Sequence, residues 1–133
     1  MMKPLLILSL STLLSFAAHA EDQAVKSISP DRLMVNGAQA TLGLSLNWTQ
    51  PRPQIERAVI VLHGRLRNAP TYLRSIERAA NQSKQRNKTL LIAPQFLDEK
   101  DIAAHHLADN ILRWHANDWM AGTTSVGPKP VSS

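Results

Sequence analysis

From Thr41 to Trp48 the chain alternates, with Leu42, Leu44, Leu46 and Trp48 on one side and Gly43, Ser45 and Asn47 on the other. A period of two predicts a strand with one wet face, antiparallel and near a sheet edge. Pro51 and Pro53 then mark a loop. Ala58 to Leu62 follows as an unbroken apolar run containing the β-branched Val59, Ile60 and Val61, with His63 and Gly64 at its end. Absence of alternation predicts a strand over 57–62 covered on both faces, as in a parallel sheet. Asn68 and Pro70 supply a helix start, and Tyr72, Leu73, Ile76, Ala79 and Ala80 form one apolar stripe, predicting a helix over 68–87. A second apolar strand over 89–93 closes against Pro94. The order strand, helix, strand is that of a crossover unit in an α/β fold.

The flanks carry weaker patterns. Ala24, Val25 and Ile28 suffice for a short edge strand, and Ser29-Pro30-Asp31 reads as a turn. Asp98 to Asn110 has helical spacing at Ile102, Ala103 and Leu107 and predicts a short surface helix. The segment from Gly122 onward, GTTSVGPKPVSS, has loop composition, with the N-cap residue types Ser132 and Ser133 at its end.

The succession of an apolar strand, His63-Gly64-Arg65, a polar turn, a helix and TLLIAPQF resembles part of the α/β-hydrolase superfamily: its third strand, oxyanion loop, first helix and fourth strand. The resemblance spans Thr41 to the end of the chain and includes Trp114 and Trp119-Met120-Ala121-Gly122. It implies an incomplete α/β-hydrolase-type sheet of about four strands, with the crossover helix between central strands 57–62 and 89–93. It further implies hydrolysis of esters or peptides through a serine acyl-enzyme without a cofactor. On it, Gly64 and Arg65 are oxyanion-hole candidates, His63 shapes the loop, and Tyr72, Trp114 and Trp119 lie toward the substrate mouth. The strand at 57–62 would sit between 89–93 and a nucleophile strand.

That nucleophile has no sequence match. G-x-S-x-G occurs nowhere in the 133 residues. Thr123-Thr124-Ser125-Val126-Gly127 has Thr where the first Gly must be and follows no apolar strand, so Ser125 reads as a loop serine. Gly43-Leu44-Ser45-Leu46-Asn47 fails at its last position and lies inside a strand. No acid or base of a triad is identifiable either. The expectation is the amino-terminal part of a hydrolase domain, inactive alone and exposing one edge of its central strand to self-association. The competing expectation is a small non-catalytic binding protein that keeps half of the fold. A small ester or peptide substrate is expected only for the completed domain.

Composition and charge adjust this reading. Lys3, the apolar run Leu5–Ala18 and Ala18-His19-Ala20 predict a signal peptide over 1–20, cleaved before Glu21, hence a periplasmic or secreted protein without a membrane segment after cleavage. With no Cys, a lipid anchor and a disulfide framework are both excluded. Over 21–133, a partial α/β-hydrolase domain, 14 basic and 10 acidic residues leave a net charge of +4. Nine Lys or Arg fall between Arg52 and Lys88 against only Glu56 and Glu77. With no aromatic residues interleaved, these read as a solvated helix face, and no nucleic-acid partner is expected. His105, His106 and His115 with Asp101, Asp109 or Asp118 match no metal-ligand spacing, so no metal is expected. Asn47-Trp48-Thr49, Asn81-Gln82-Ser83 and Asn87-Lys88-Thr89 have the form of glycosylation acceptors, a form that chance makes common.

Overall fold

Asn36 and Gly37 adopt φ of 50° and 82°, the left-handed pair that a tight two-residue hairpin needs and that Asn-Gly supplies at least strain. They join β1 (Asp31–Val35) to β2 (Ala38–Leu44), antiparallel, with Val35 opposite Ala38 and Asp31 opposite Leu42. The computed structural model describes residues 23–127, 130 and 131. The expected signal peptide over 1–20 and the terminal Ser132 and Ser133 lie outside the described residues. The edge strand expected around Ala24–Ile28 is not formed, and β1 takes the edge position instead.

The strand expected to run to Trp48 stops at Leu44. Ser45 is the reason: its Oγ, in place of its carbonyl, accepts from Leu91 N at 2.9 Å, and its carbonyl turns to Arg86 at 2.8 Å. β2 pairs antiparallel with β4 (Thr89–Gln95), which pairs parallel with β3 (Arg57–Ile60). The result is a mixed α/β fold whose four-stranded sheet has the order β1-β2-β4-β3. Pro94 lies inside β4 and does not close it. The last bond of the parallel ladder is Val61 N to Ile92 O, 2.9 Å. Pro94, next on that side of β4, has no N–H to continue the ladder.

The crossover is α1 (Ala69–Gln82), shorter than the 68–87 expected. Lys84 turns left-handed at φ 57°. Gln85 N then reaches Ala80 O at 2.9 Å and Lys84 N reaches Asn81 O at 3.0 Å, a Schellman closure. A separate 3₁₀ turn, Arg86–Lys88, leads into β4. The apolar stripe of α1 covers the face of the sheet that carries Thr41 and Gly43. That face, expected to be wet, is buried. A Cβ on Gly43 would lie 2.9 Å from Leu73 Cδ2, so the glycine sets how closely α1 packs.

The opposite face has no helix on it among the described residues. The expectation that β3 is covered on both faces is therefore corrected: Ile60 is 64 % and Leu62 54 % exposed, and Leu33 is exposed as well. β3 has a neighbour strand on one side and a helix on one face, too little to cover an all-apolar run.

After β4, β5 (Leu97–Asp98) pairs parallel with β6 (Arg113–Trp114), a second small sheet absent from the expectation. Between them α2 (Glu99–Ala104) begins in a capping box, in which Asp98 accepts from Asp101 N and Asp101 from Asp98 N. This is the short helix expected after Asp98, but Asp101 is buried and not a surface residue. Val25, Leu97 and Ile111 form one core cluster, with Ile28, Ile102 and Leu107 against it. Ala38, Leu112 and Trp114 form a second.

Candidate functional site

The chain leaves β3 through a tight turn in which Arg67 N donates to Gly64 O at 3.0 Å. His63, 4 % exposed, pins this turn to the end of β4. Its Nε2 accepts from Phe96 N at 2.9 Å, so the ring proton sits on Nδ1 and is donated to Gly64 O at 2.8 Å. Both nitrogens are committed, and the imidazole is held neutral. Burial is the main cause that lowers its pKa below 6.5; the nearby Arg67 charge adds to this, while the Gly64 bond and Asp101 oppose it.

Around His63 stands an aromatic group. Trp119 meets its ring edge-on at 4.8 Å and stacks on Phe96 at 4.8 Å, and Phe96 meets Trp114 edge-on at 5.2 Å. Trp114 is a core residue whose Nε1 donates to Thr123 O at 3.0 Å. Trp119 is half-buried, in the 3₁₀ turn Asp118–Ala121. Tyr72 comes from the first turn of α1, and a Cβ on Gly64 would lie 3.0 Å from its hydroxyl. The turn thus has an aromatic wall on one side and a phenol against Gly64, with Arg65 exposed at its tip. His63, Gly64, Arg65, Tyr72 and Trp119 are brought together; Trp114 stands behind Phe96.

Beneath the turn lies a buried charge cluster that residue spacing barely signals. Arg67 is 1 % exposed and left-handed at φ 55°. Its Nε donates to Asp101 Oδ2 at 2.8 Å, and its Nη2 reaches Asp98 Oδ2 at 3.1 Å and Gln23 O at 2.9 Å. Burial raises the pKa of Asp98, and the neighbouring Asp101 charge adds to this; bonds from the Asp101 and Lys100 N–H groups and the Arg67 charge pull the other way. Desolvation wins there because Asp98 shares one guanidinium with a second carboxylate. The basic surface read over Arg52–Lys88 loses Arg67 to this core. Arg86 and Lys88 also pair, with Glu77 at 3.5 Å and Glu56 at 2.7 Å. The one local hint was Asp98-x-x-Asp101 before Ile102, the spacing of a capping box.

Ser125 is 3 % exposed and held at both ends by Val131: its N donates to Val131 O at 2.7 Å, and its Oγ accepts from Val131 N at 2.7 Å. The histidines do not converge. His105 Nε2 bonds Val25 O at 2.7 Å, and Asp101 is engaged by Arg67. Among the described residues no group of three His, Cys, Asp or Glu could hold a metal, and no helix is long and apolar enough to cross a membrane. No protein-family model, curated protein or solved structure matches the chain.

Proposed function

We propose that the chain supplies the oxyanion side of a serine acyl-hydrolase of the α/β-hydrolase type, acting on esters or peptides in an exported compartment. The observation that carries this reading is the placement of the Gly64–Arg67 turn. It lies at the carboxyl end of a parallel strand, between an aromatic wall and the start of the crossover helix, and among the described residues the outer edge of that strand has no partner strand. In acyl transfer the carbonyl oxygen of the substrate gains charge as the tetrahedral intermediate forms. Backbone N–H groups about 3 Å from it stabilise that charge without reorganising. Gly64 lets the Tyr72 hydroxyl close on the backbone of the turn, and the N–H of Arg65 is the proposed donor. His63, with both nitrogens committed, holds the turn and does not act as base. The serine, acid and base come from a segment that pairs with the open edge of β3, and acyl transfer of this kind draws on no cofactor.

The test combines this chain, fused or in trans, with a polypeptide encoded beside it that carries G-x-S-x-G followed by Asp and His. The pair should turn over a chromogenic ester and react with a fluorophosphonate probe. Arg65→Pro, which deletes one backbone donor, should lower turnover by about 10²-fold or more. A pair that is inactive, or equally active with Arg65→Pro, would sink the proposal.

A further inference from the structure

Gln23 to Ser29 is a segment without strand pairing, bent at Gln23 and Lys26, and no backbone-to-backbone bond ties it to the rest of the described chain. Side chains hold it instead, and they read its main chain at alternate residues. Arg67 Nη2 donates to Gln23 O at 2.9 Å; Asp101 Oδ1 accepts from Val25 N at 2.8 Å, and His105 Nε2 bonds Val25 O at 2.7 Å. Gln95 takes the next two groups, its Nε2 donating to Ser27 O at 3.1 Å and its Oε1 accepting from Ser29 N at 2.7 Å.

We infer that Arg67, Gln95, Asp101 and His105 form a main-chain-reading site for a peptide segment, filled in this structure by the chain's own Gln23–Ser29. Three of the four readers are buried and oriented by one another or by the sheet: Asp101 by Arg67 and the Asp98 N–H, Gln95 by Arg67 O at 2.9 Å. Selectivity for side chains is confined to one face of the segment. Val25 enters the cluster of Leu97 and Ile111, Ile28 packs beside it, and Ser29 is buried, whereas Lys26 and Ser27 face solvent. The ligand class is a peptide with an aliphatic residue at the Val25 position, a chain bend at the next residue, and little side-chain restriction at that residue and the one after it. Recognition by alternate backbone groups with pockets for single side chains is the logic of strand addition, carried here by side chains. Because no ladder bonds the segment, it can leave as a unit, hinging at Pro30.

The experiment inserts a specific protease site between Pro30 and Asp31 of the full chain and cleaves it after folding. The released segment should stay bound, and an excess of a fluorescent synthetic peptide of residues 21–30 should replace it. The same peptide with Lys26→Glu should compete equally. N-methylation of the Val25 nitrogen, which removes the donor to Asp101, should weaken competition by about tenfold or more. Failure to exchange, or equal competition by the N-methyl peptide, overturns the inference. If the nicked chain unfolds, the intact chain decides: excess peptide should accelerate amide exchange at Val25 and Ser29, and unchanged rates overturn the inference.

Discussion

Replacing Arg67 by Met tests whether the buried charge cluster holds the turn. Met matches the length of the stem and leaves the left-handed backbone as it is, so the change isolates the guanidinium. Two carboxylates at Asp98 and Asp101, 3 % and 0 % exposed, would keep their hydrogen bonds to N–H groups but lose their cation. Removing one partner of a buried pair costs about 3–5 kcal/mol, and the orphaned Gln23 carbonyl adds roughly 1. Against a total stability of about 5–15 kcal/mol, this is a large fraction. In urea, with a slope of about 1–2 kcal/mol/M, the unfolding midpoint should fall by roughly 2–6 M. The deficit should shrink at low pH, where the abandoned Asp98 carboxylate, its pKa already raised by burial, takes up a proton. Arg78→Met, on the exposed face of α1, is the control and should stay within about 0.5 kcal/mol. A loss below about 1 kcal/mol for Arg67→Met, or one independent of pH, would refute the reasoning.

The pKa of His63 is lowered from 6.5 in the fold, so the unfolded chain binds its proton first and stability falls as pH drops below about 6.5 through the folded value. His63→Gln should flatten that slope in denaturation series, and an unchanged slope would contradict the neutral, doubly bonded imidazole. Asp98 works the other way: its pKa is raised from 3.8, so its contribution is present below that value and is lost as pH rises through the folded one. His63→Gln should leave this lower window untouched. Gly43→Ala should destabilise by about 1–3 kcal/mol, because the new methyl meets Leu73 Cδ2 at 2.9 Å; additivity of Gly43→Ala with Leu73→Ala in thermal melts would count against that contact. The chain alone should give no fluorophosphonate adduct, and stoichiometric labelling at Ser125 would overturn the account of that serine.

Local patterns carried the strand–helix–strand unit. Asn68 and Pro70 start α1 where the spacing placed it, and the stripe from Tyr72 to Ala80 lies against the sheet. Its end is not legible, because Lys84, not Gly, takes the left-handed position of the Schellman closure. β3 exists, but an apolar run reports what a strand needs covered and not whether the chain covers it. The hairpin is legible at Asn36-Gly37, a dipeptide that takes the left-handed pair of a two-residue turn at little strain. The site divided similarly. His63-Gly64-Arg65 stands out because a strand runs into it. Arg67, Asp98 and Asp101 do not, since their pairing joins positions separated by 34 residues and a buried Arg looks like a surface Arg in sequence. Seven of the eight remaining Lys and Arg between Arg52 and Lys88 are exposed, so a solvated reading of that stretch misplaces the one that organises the core.

The account depends on an open outer edge of β3, and amide hydrogen exchange along that strand measures it directly. Val61 N is bonded to Ile92 O, and the backbone of Ile60 and Leu62, one residue to either side, points away from β4. In chain kept monomeric by dilution, verified by light scattering, Val61 should be protected while Ile60 and Leu62 exchange near the unstructured rate. Adding the G-x-S-x-G polypeptide should protect Ile60 and Leu62. Protection of both amides in the isolated monomer would mean that the edge is already closed, and the proposed completion of the domain would fall with it.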